Sequence, residues 1–365
     1  MSFLDFQGNA ETVGRLRGML ARGHFPHALI LAGGRGAGKY TLALMLARAM
    51  NCLQPLTTDG LPDYCGRCSN CRRIGEAADL DGKFAEAVEA RENLRDADKK
   101  ETRVFVQTHP DLLVIPPDPP QMLVKVDQVR KVIQSIYLKP AEGKEKVYIF
   151  SDAVFMKEAA NSLLKVLEEP PEFATILLLT ENPGELLPTI RSRSMVFSLV
   201  AVPVEEIELD MKRQHPEWSA DHRNLVARLS EGAVGRARSF DLAGYVAARK
   251  NALTLLGAAL RNGEHSELFR ITESYRPGAE GREKIEQLIA TLYSLLHDLM
   301  LLVSVAGPMV RNTDIQSELK KMAERVDLDW IVRAADRLNE VERGMRRNLL
   351  RSLSLDSFAM SLENL

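Results

Sequence analysis

Charge of one sign is missing from this chain. Lysine plus arginine number 48 against 50 aspartate plus glutamate over 365 residues. No global basic field is therefore available to grip nucleic acid, and any DNA contact must be local or made by a larger assembly. Long apolar runs are missing too. The most apolar late segment, Leu295 to Val305, is interrupted by His297 and Asp298 and reads as too short to span a bilayer. Met1-Ser2-Phe3-Leu4-Asp5 has no basic region ahead of an apolar core, so no signal peptide is expected. The expected location is the cytoplasm, with no membrane partner. Cysteine is scarce, at four residues, and in that compartment thiols point to metal rather than to disulfides. What remains, 45% hydrophobic and 27% charged, is ordinary globular composition. The length predicts two or three domains.

Against these absences stands Gly33-Gly34-Arg35-Gly36-Ala37-Gly38-Lys39-Tyr40-Thr41. Ala28-Leu29-Ile30-Leu31 before it reads as a buried strand, and Leu42 to Ala47 after it as a buried helix. Strand, glycine loop, Gly-Lys and helix form the context of a phosphate-binding loop. Gly33, Gly36 and Gly38 let backbone N–H groups converge on phosphate oxygens. The helix start adds its positive dipole end, and Lys39 reaches the outer phosphates. ATP or ADP is the expected ligand. The plainer reading is a glycine-rich turn with no ligand at all.

The loop lacks the hydroxyl that holds Mg²⁺, which belongs directly after the lysine. Tyr40 stands there, and its phenol sits too far out to replace a Ser or Thr oxygen. Thr41 is one residue late and points elsewhere on the helix. A second gap lies at the end of the strand Val147-Tyr148-Ile149-Phe150. There a P-loop ATPase carries an acidic residue for Mg²⁺, and this chain has Ser151 followed by Asp152. Both metal-holding groups are absent together, so negligible intrinsic hydrolysis is expected.

Cys52 precedes Cys65-Gly66-Arg67-Cys68-Ser69-Asn70-Cys71. This spacing closes a four-thiolate tetrahedron around zinc, with no open position, which makes the metal structural. Iron–sulfur runs begin similarly but continue to a nearby Cys-Pro, absent here. Four free thiols are the remaining alternative. Residues 74–102 are dense in both charges and read as an exposed helical insert. Short strands are expected at Val104-Phe105-Val106 and Leu112 to Ile115, an extended Pro116 to Pro120 connection, then a helix over Val126 to Ile136. Ala159 to Glu169 is a helix stopped by Pro170-Pro171, and Thr175 to Thr180 a third buried strand ending near the glycine loop.

Two arginines attract notice beyond that strand. Arg193, in Arg191-Ser192-Arg193-Ser194, is either a solvated surface residue or a finger offered to a neighbour's γ-phosphate. Arg236, in Gly232 to Ala237, is either a helix-start surface residue or a second guanidinium folding back over a nucleotide. A smaller helical region starts at Pro203, and from Asp241 onward the pattern is nearly all helical, with breaks at 261–263, 276–278 and Gly307-Pro308. Long amphipathic helices are expected over Leu328 to Leu355, as a bundle for association.

Together these landmarks resemble the AAA+ clamp-loader family of bacterial DNA polymerase III. The resemblance is carried by Pro26-His27-Ala28, the glycine loop, the four cysteines, Thr108-His109-Pro110-Asp111, Val126 to Arg130, Ala159 to Pro171, Arg191-Ser192-Arg193 and Gly232 to Ala237. It implies an α/β AAA+ P-loop domain over 1–200, a parallel sheet with flanking helices. That domain would hold a zinc module over about 52–71 and a charged insert over about 76–107. A small helical lid over 201–242 and an all-α collar over 243–365 would follow. The resemblance further implies a place in a hetero-pentameric ring with motor (tau/gamma) and delta subunits. That ring loads the sliding clamp onto primed DNA with ATP, and the chain would be a subunit of the polymerase III holoenzyme with no catalysis of its own. It implies a non-hydrolysing stator whose Arg193 acts in trans. Its nucleotide-side residues are Gly33, Gly36, Gly38, Lys39, Tyr40, Thr41 and Arg236, and its zinc ligands Cys52, Cys65, Cys68 and Cys71. The alternatives are a motor subunit of the same family or an autonomous P-loop helicase or branch-migration ATPase. Either would need intact Mg²⁺ ligands.

Overall fold

The computed structural model describes residues 2–260, 279–304, 306–345, 357–358 and 360–362. Two compact units emerge. One comprises Met1–Asp210 with Gly232–Arg238, the other Met211–Glu231 with Ser239–Leu365. The segment 201–242 expected as a lid is thus shared between the two.

The first unit is built on a six-stranded sheet. Its helices and strands begin with α1 (Ala10–Ala21), β1 (Ala28–Ala32) and α2 (Lys39–Asn51). A small hairpin follows, β2 (Leu56–Thr58) and β3 (Leu61–Asp63), and then α3 (Ser69–Glu76), α4 (Leu80–Glu92) and α5 (Asp96–Glu101). The chain returns to the sheet with β4 (Val106–His109), β5 (Leu112–Ile115), α6 (Val126–Ile136), β6 (Lys146–Phe150), α7 (Lys157–Glu168) and β7 (Ala174–Thr180). It ends with α8 (Pro188–Arg191) and β8 (Met195–Ser198). Strand order is β4-β5-β6-β7-β1-β8, and only the β4–β5 pair is antiparallel.

Strand β1 shows why the sheet takes helices on both faces. Every residue of it is buried, as in β5, β6 and β7, which is the pattern of a parallel sheet covered on both sides. Leu29 and Leu31 enter one core with Leu42, Leu46 and Leu16, while Ala28, Ile30 and Ala32 enter the other with Val129, Leu163 and Val166. Alternation along an extended strand produces that split. Each fully buried Leu or Ile contributes about 1.5–3 kcal/mol. The α/β expectation with a mostly parallel sheet therefore holds.

Several local expectations shift. Helix α1 begins only at Ala10, because Gly8 and Asn9 ahead of it take left-handed backbone conformations. A short 3-10 turn covers Phe3–Asp5. The first edge strand is Val106–His109 rather than 104–106, with Val104 buried beside it. The charged stretch is two helices, α4 and α5, and Arg91 at the end of α4 is buried against Asp118 at 3.3 Å.

The described part of the second unit is helical: α10 (Ala220–Leu229), α12 (Leu242–Ala259), α13 (Ala279–Val303), α14 (Gln316–Ala323) and α15 (Leu328–Met345). Helices α9 (Val204–Gln214) and α11 (Val234–Arg238) complete the chain order. Leu255, Leu288, Leu292, Leu295, Leu299, Ile331 and Leu338 form its core. The apolar helix is longer than the sequence suggested. Lys284–Val303 has the length and hydropathy to cross a membrane, yet 56% of its apolar window is buried. Asp298 in it is fully buried and accepts hydrogen bonds from Arg311 N, Asn312 N and Asn312 Nδ2, the pattern of a satisfied core helix. The expected breaks at 261–263 and 276–278, and the helix beyond Met345, lie outside the described residues. A break at Gly307-Pro308 is present as a 3-10 turn.

Candidate functional site

The glycine loop sits where β1 ends and α2 begins, beside the end of β7. Gly33 N donates to Thr180 O at 3.2 Å. Gly33, Gly36 and Gly38 have φ of +151°, +80° and +90°, conformations open to glycine and costly for other residues. Gly33 and Gly36 are also squeezed. A Cβ on Gly33 would meet Leu199 O at 2.7 Å, and one on Gly36 would meet Arg236 N at 2.8 Å.

The loop is closed on itself and on its neighbours. Lys39 Nζ donates to Gly33 O at 2.5 Å and Gly34 O at 3.0 Å. Gly36 O accepts from Gly235 N at 2.9 Å, and a Cβ on Gly235 would come within 2.8 Å of Gly36 O. The Phe6 ring stands against Gly38, where a Cβ would meet it at 3.0 Å. Thr41 is half-buried. Arg236 is half-buried on α11, its backbone pressed to Gly36.

Tyr40 does not face the loop. Its hydroxyl donates to Ala77 O at 2.7 Å, and its ring packs on the core that holds α2. Burial pushes the phenol well above its ordinary range, so it stays protonated and donating. The Mg²⁺ position of the loop is thus turned away into a structural contact.

Two carboxylates face Lys39. Burial lowers the Lys39 amine, while Glu181 and Asp152 work in the other direction. Asp152 is raised by partial burial and by Glu181, with Lys39 opposing. Ser151, at the end of β6, brings no charge. Glu181, Phe6 and Gly235 were not singled out from the sequence. Gly235 lay inside the Gly232 to Ala237 motif, and Phe6 in a stretch with no motif of its own.

Arg193 lies far along the chain from the loop, just before β8. It is exposed, pairs with Glu168 at 2.6 Å and donates to Thr189 O at 3.1 Å. Glu168 is the last residue of α7, so one helix end holds the guanidinium.

The four cysteines converge. The sulfurs of Cys52, Cys65, Cys68 and Cys71 all lie within 4.8 Å of one another. Tetrahedral coordination at about 2.3 Å per bond puts sulfurs ~3.8 Å apart, so the set fits one metal ion. Cys65 N donates to Cys52 Sγ at 3.3 Å, Cys68 N to Cys65 Sγ at 3.3 Å, and Cys71 N to Cys68 Sγ at 3.5 Å. Burial opposes the Cys65 thiolate, but the N–H groups of Arg67 and Cys68 and the neighbouring thiols bring it down to about 6. Burial and the adjacent thiols push Cys71 up. Four thiols this close cannot all ionise without a cation between them. The hairpin β2–β3, unanticipated from sequence, carries the cluster's outer loop. Arg17 fastens it through Thr58 O, Leu61 O and Pro62 O at 2.6–3.0 Å.

Comparison with known proteins gives a family for the chain. A family model described as "DNA polymerase III, delta subunit" matches residues 8–203. DNA polymerase III subunit tau of Escherichia coli (strain K12) is 30% identical over 243 residues, 65% of this chain and 32% of that protein. DNA polymerase III subunit delta' of Pseudomonas aeruginosa is 31% identical over 214 residues, 58% of this chain and 55% of that protein. The chain thus spans about a third of that tau subunit and about half of that delta' subunit. A solved DNA polymerase III gamma subunit-related protein of Thermotoga maritima aligns over 96% of this chain and 99% of its own, at 17% identity and a TM-score of 0.41. With more than half of its residues matched by that family model, the chain belongs to the DNA polymerase III delta subunit family.

Proposed function

We propose that this chain is the delta-prime, stator-type subunit of the clamp loader. In this role it does not burn ATP. It holds its place in a ring with tau/gamma and delta subunits, in the cytoplasm, while that ring loads the sliding clamp onto primed DNA. Arg193 is its contribution to chemistry, a guanidinium offered to the nucleotide of an adjacent motor subunit. Residues 201–242 act as a lid and 243–365 as the collar that joins the ring. The cysteines hold zinc, which supplies a rigid tetrahedral cross-link and no reaction.

One observation carries the reading: the Tyr40 hydroxyl is committed to Ala77 O, in a chain whose β6 is followed by Ser151. Phosphoryl transfer depends on positioning and on metal-assisted charge neutralisation. Without a Ser or Thr hydroxyl at position 40 or a carboxylate at position 151, a bound ATP or ADP would lack a fixed Mg²⁺. The tau-type motor reading draws on the 30% identity to tau, and the same two positions oppose it.

A reconstituted ring tests the proposal. The purified chain alone is expected to show no Mg²⁺-dependent ATP turnover, and its addition to the other subunits is expected to raise theirs. Brisk hydrolysis by the isolated chain would overturn the stator assignment.

A further inference from the structure

Helices α2 and α3 share both of their ends. Helix α2 starts in the glycine loop and is capped at its far end by Cys52. Helix α3 starts at Cys68, which caps it, contains Cys71, and ends at Ala77. At the cysteine end the four sulfurs join the pair, with Asn70 Nδ2 donating to Asn51 O at 3.1 Å. Midway, Gly75 leaves room for the Arg48 guanidinium, which a Cβ would strike. At the loop end a single hydrogen bond closes the frame, Tyr40 OH to Ala77 O.

Helix lengths explain why tyrosine is needed. Position 40 to position 52 spans ~18 Å of helix, and position 68 to position 77 spans ~14 Å, at about 1.5 Å per residue. Helix α3 therefore stops short of the loop. A phenol bridges the shortfall, and a Ser or Thr hydroxyl at the same place does not.

We propose that Tyr40 is a positioning residue that fastens the glycine loop to the cysteine module, so that metal on Cys52, Cys65, Cys68 and Cys71 sets the conformation of residues 33–41. The inference rests on the metal reading of the cysteines and is independent of the stator role. Linkage makes it reciprocal: if metal steadies the loop, the clasp at Tyr40 must tighten the metal by the same factor.

The test uses the full chain loaded with zinc, and Tyr40→Phe, which keeps the ring and removes only the hydroxyl. Zinc affinity is read by competition with a chromogenic chelator, and loop order by amide hydrogen exchange. Loss of one neutral hydrogen bond, ~1 kcal/mol, corresponds to about fivefold weaker zinc binding. Exchange over residues 36–42 is expected to rise by a similar factor with zinc still bound, while β6 and β7 stay as protected as before. Removing zinc from the wild-type chain is expected to raise the same loop amides, and to add little in Tyr40→Phe. Equal zinc affinity in the two proteins, or loop exchange indifferent to the hydroxyl, overturns the proposal. So does a rise spread evenly over the sheet, which marks general destabilisation, or a wild-type chain that binds no zinc. Should the zinc-free chain unfold, the two zinc-loaded proteins still decide the matter.

Discussion

At its first turn α2 carries Lys39 and Tyr40, and at its last it hands over to Cys52. The first end retains the glycines, the left-handed turns and the lysine of a phosphate loop. Its side chains are spent on the protein itself, the amine on Gly33 O and Gly34 O and the phenol on Ala77 O. The second end retains all four thiols, turned toward one point. One helix thus joins a motif whose side chains are bonded to the protein itself to a motif whose four thiols converge. The comparison teaches that a backbone built for a ligand is also a good structural joint.

The sharpest way to break that contrast is through Arg193, the residue that the proposed stator role makes the chain's contribution to chemistry. Arg193→Ala should lower ATP turnover of the assembled ring by roughly 10³-fold, the scale of an arginine finger, with circular dichroism unchanged. Turnover equal to wild type would remove Arg193 from the account. Next in size is Cys68→Ser. Elemental analysis should find the metal gone, and the unfolding midpoint should fall by about 10 °C, because metal binding at such a site is folding free energy.

A smaller effect probes how tightly the loop is closed. Gly235→Ala places a methyl 2.8 Å from Gly36 O and should cost about 1–3 kcal/mol by overpacking, seen in denaturant titration. A mutant as stable as the parent would mean that the contact is slack. The smallest concerns pH. Burial raises Glu145 to about 7, and its Oε2 is buried without a hydrogen-bond partner. A carboxyl raised on folding contributes stability below its unfolded value, and that contribution is lost as pH rises through 7. Glu145→Gln should therefore gain stability relative to wild type at pH 8 and show little gain at pH 4, by thermal melts at the two pH values.

The sequence disclosed most of what is local. Glycine spacing, the cysteine cluster, Ser151-Asp152 and the buried strands are all written within short windows, where residue type and period suffice. Contacts between distant segments were hidden. Nothing near Tyr40 reveals that its hydroxyl meets residue 77, and nothing near Gly36 announces Gly235. Glu181 became visible only when β7 set it beside Lys39. The β4 boundary moved because an edge strand is fixed by pairing with β5 rather than by its own apolar content. The charged stretch hid a buried Arg91 because its partner, Asp118, arrives from the proline-rich connection.

Gly36 and Gly235 carry a lesson about inheritance. A Cβ on Gly235 would strike the Gly36 carbonyl and one on Gly36 the backbone of Arg236, although almost two hundred positions separate the two segments. A mutation giving either one a side chain has no simple compensating change on the opposite segment, since the nearest atoms it would strike belong to the backbone. The pair can only drift if the segments themselves move apart, so relatives that open this loop to a ligand should differ here in backbone spacing before they differ in residue type.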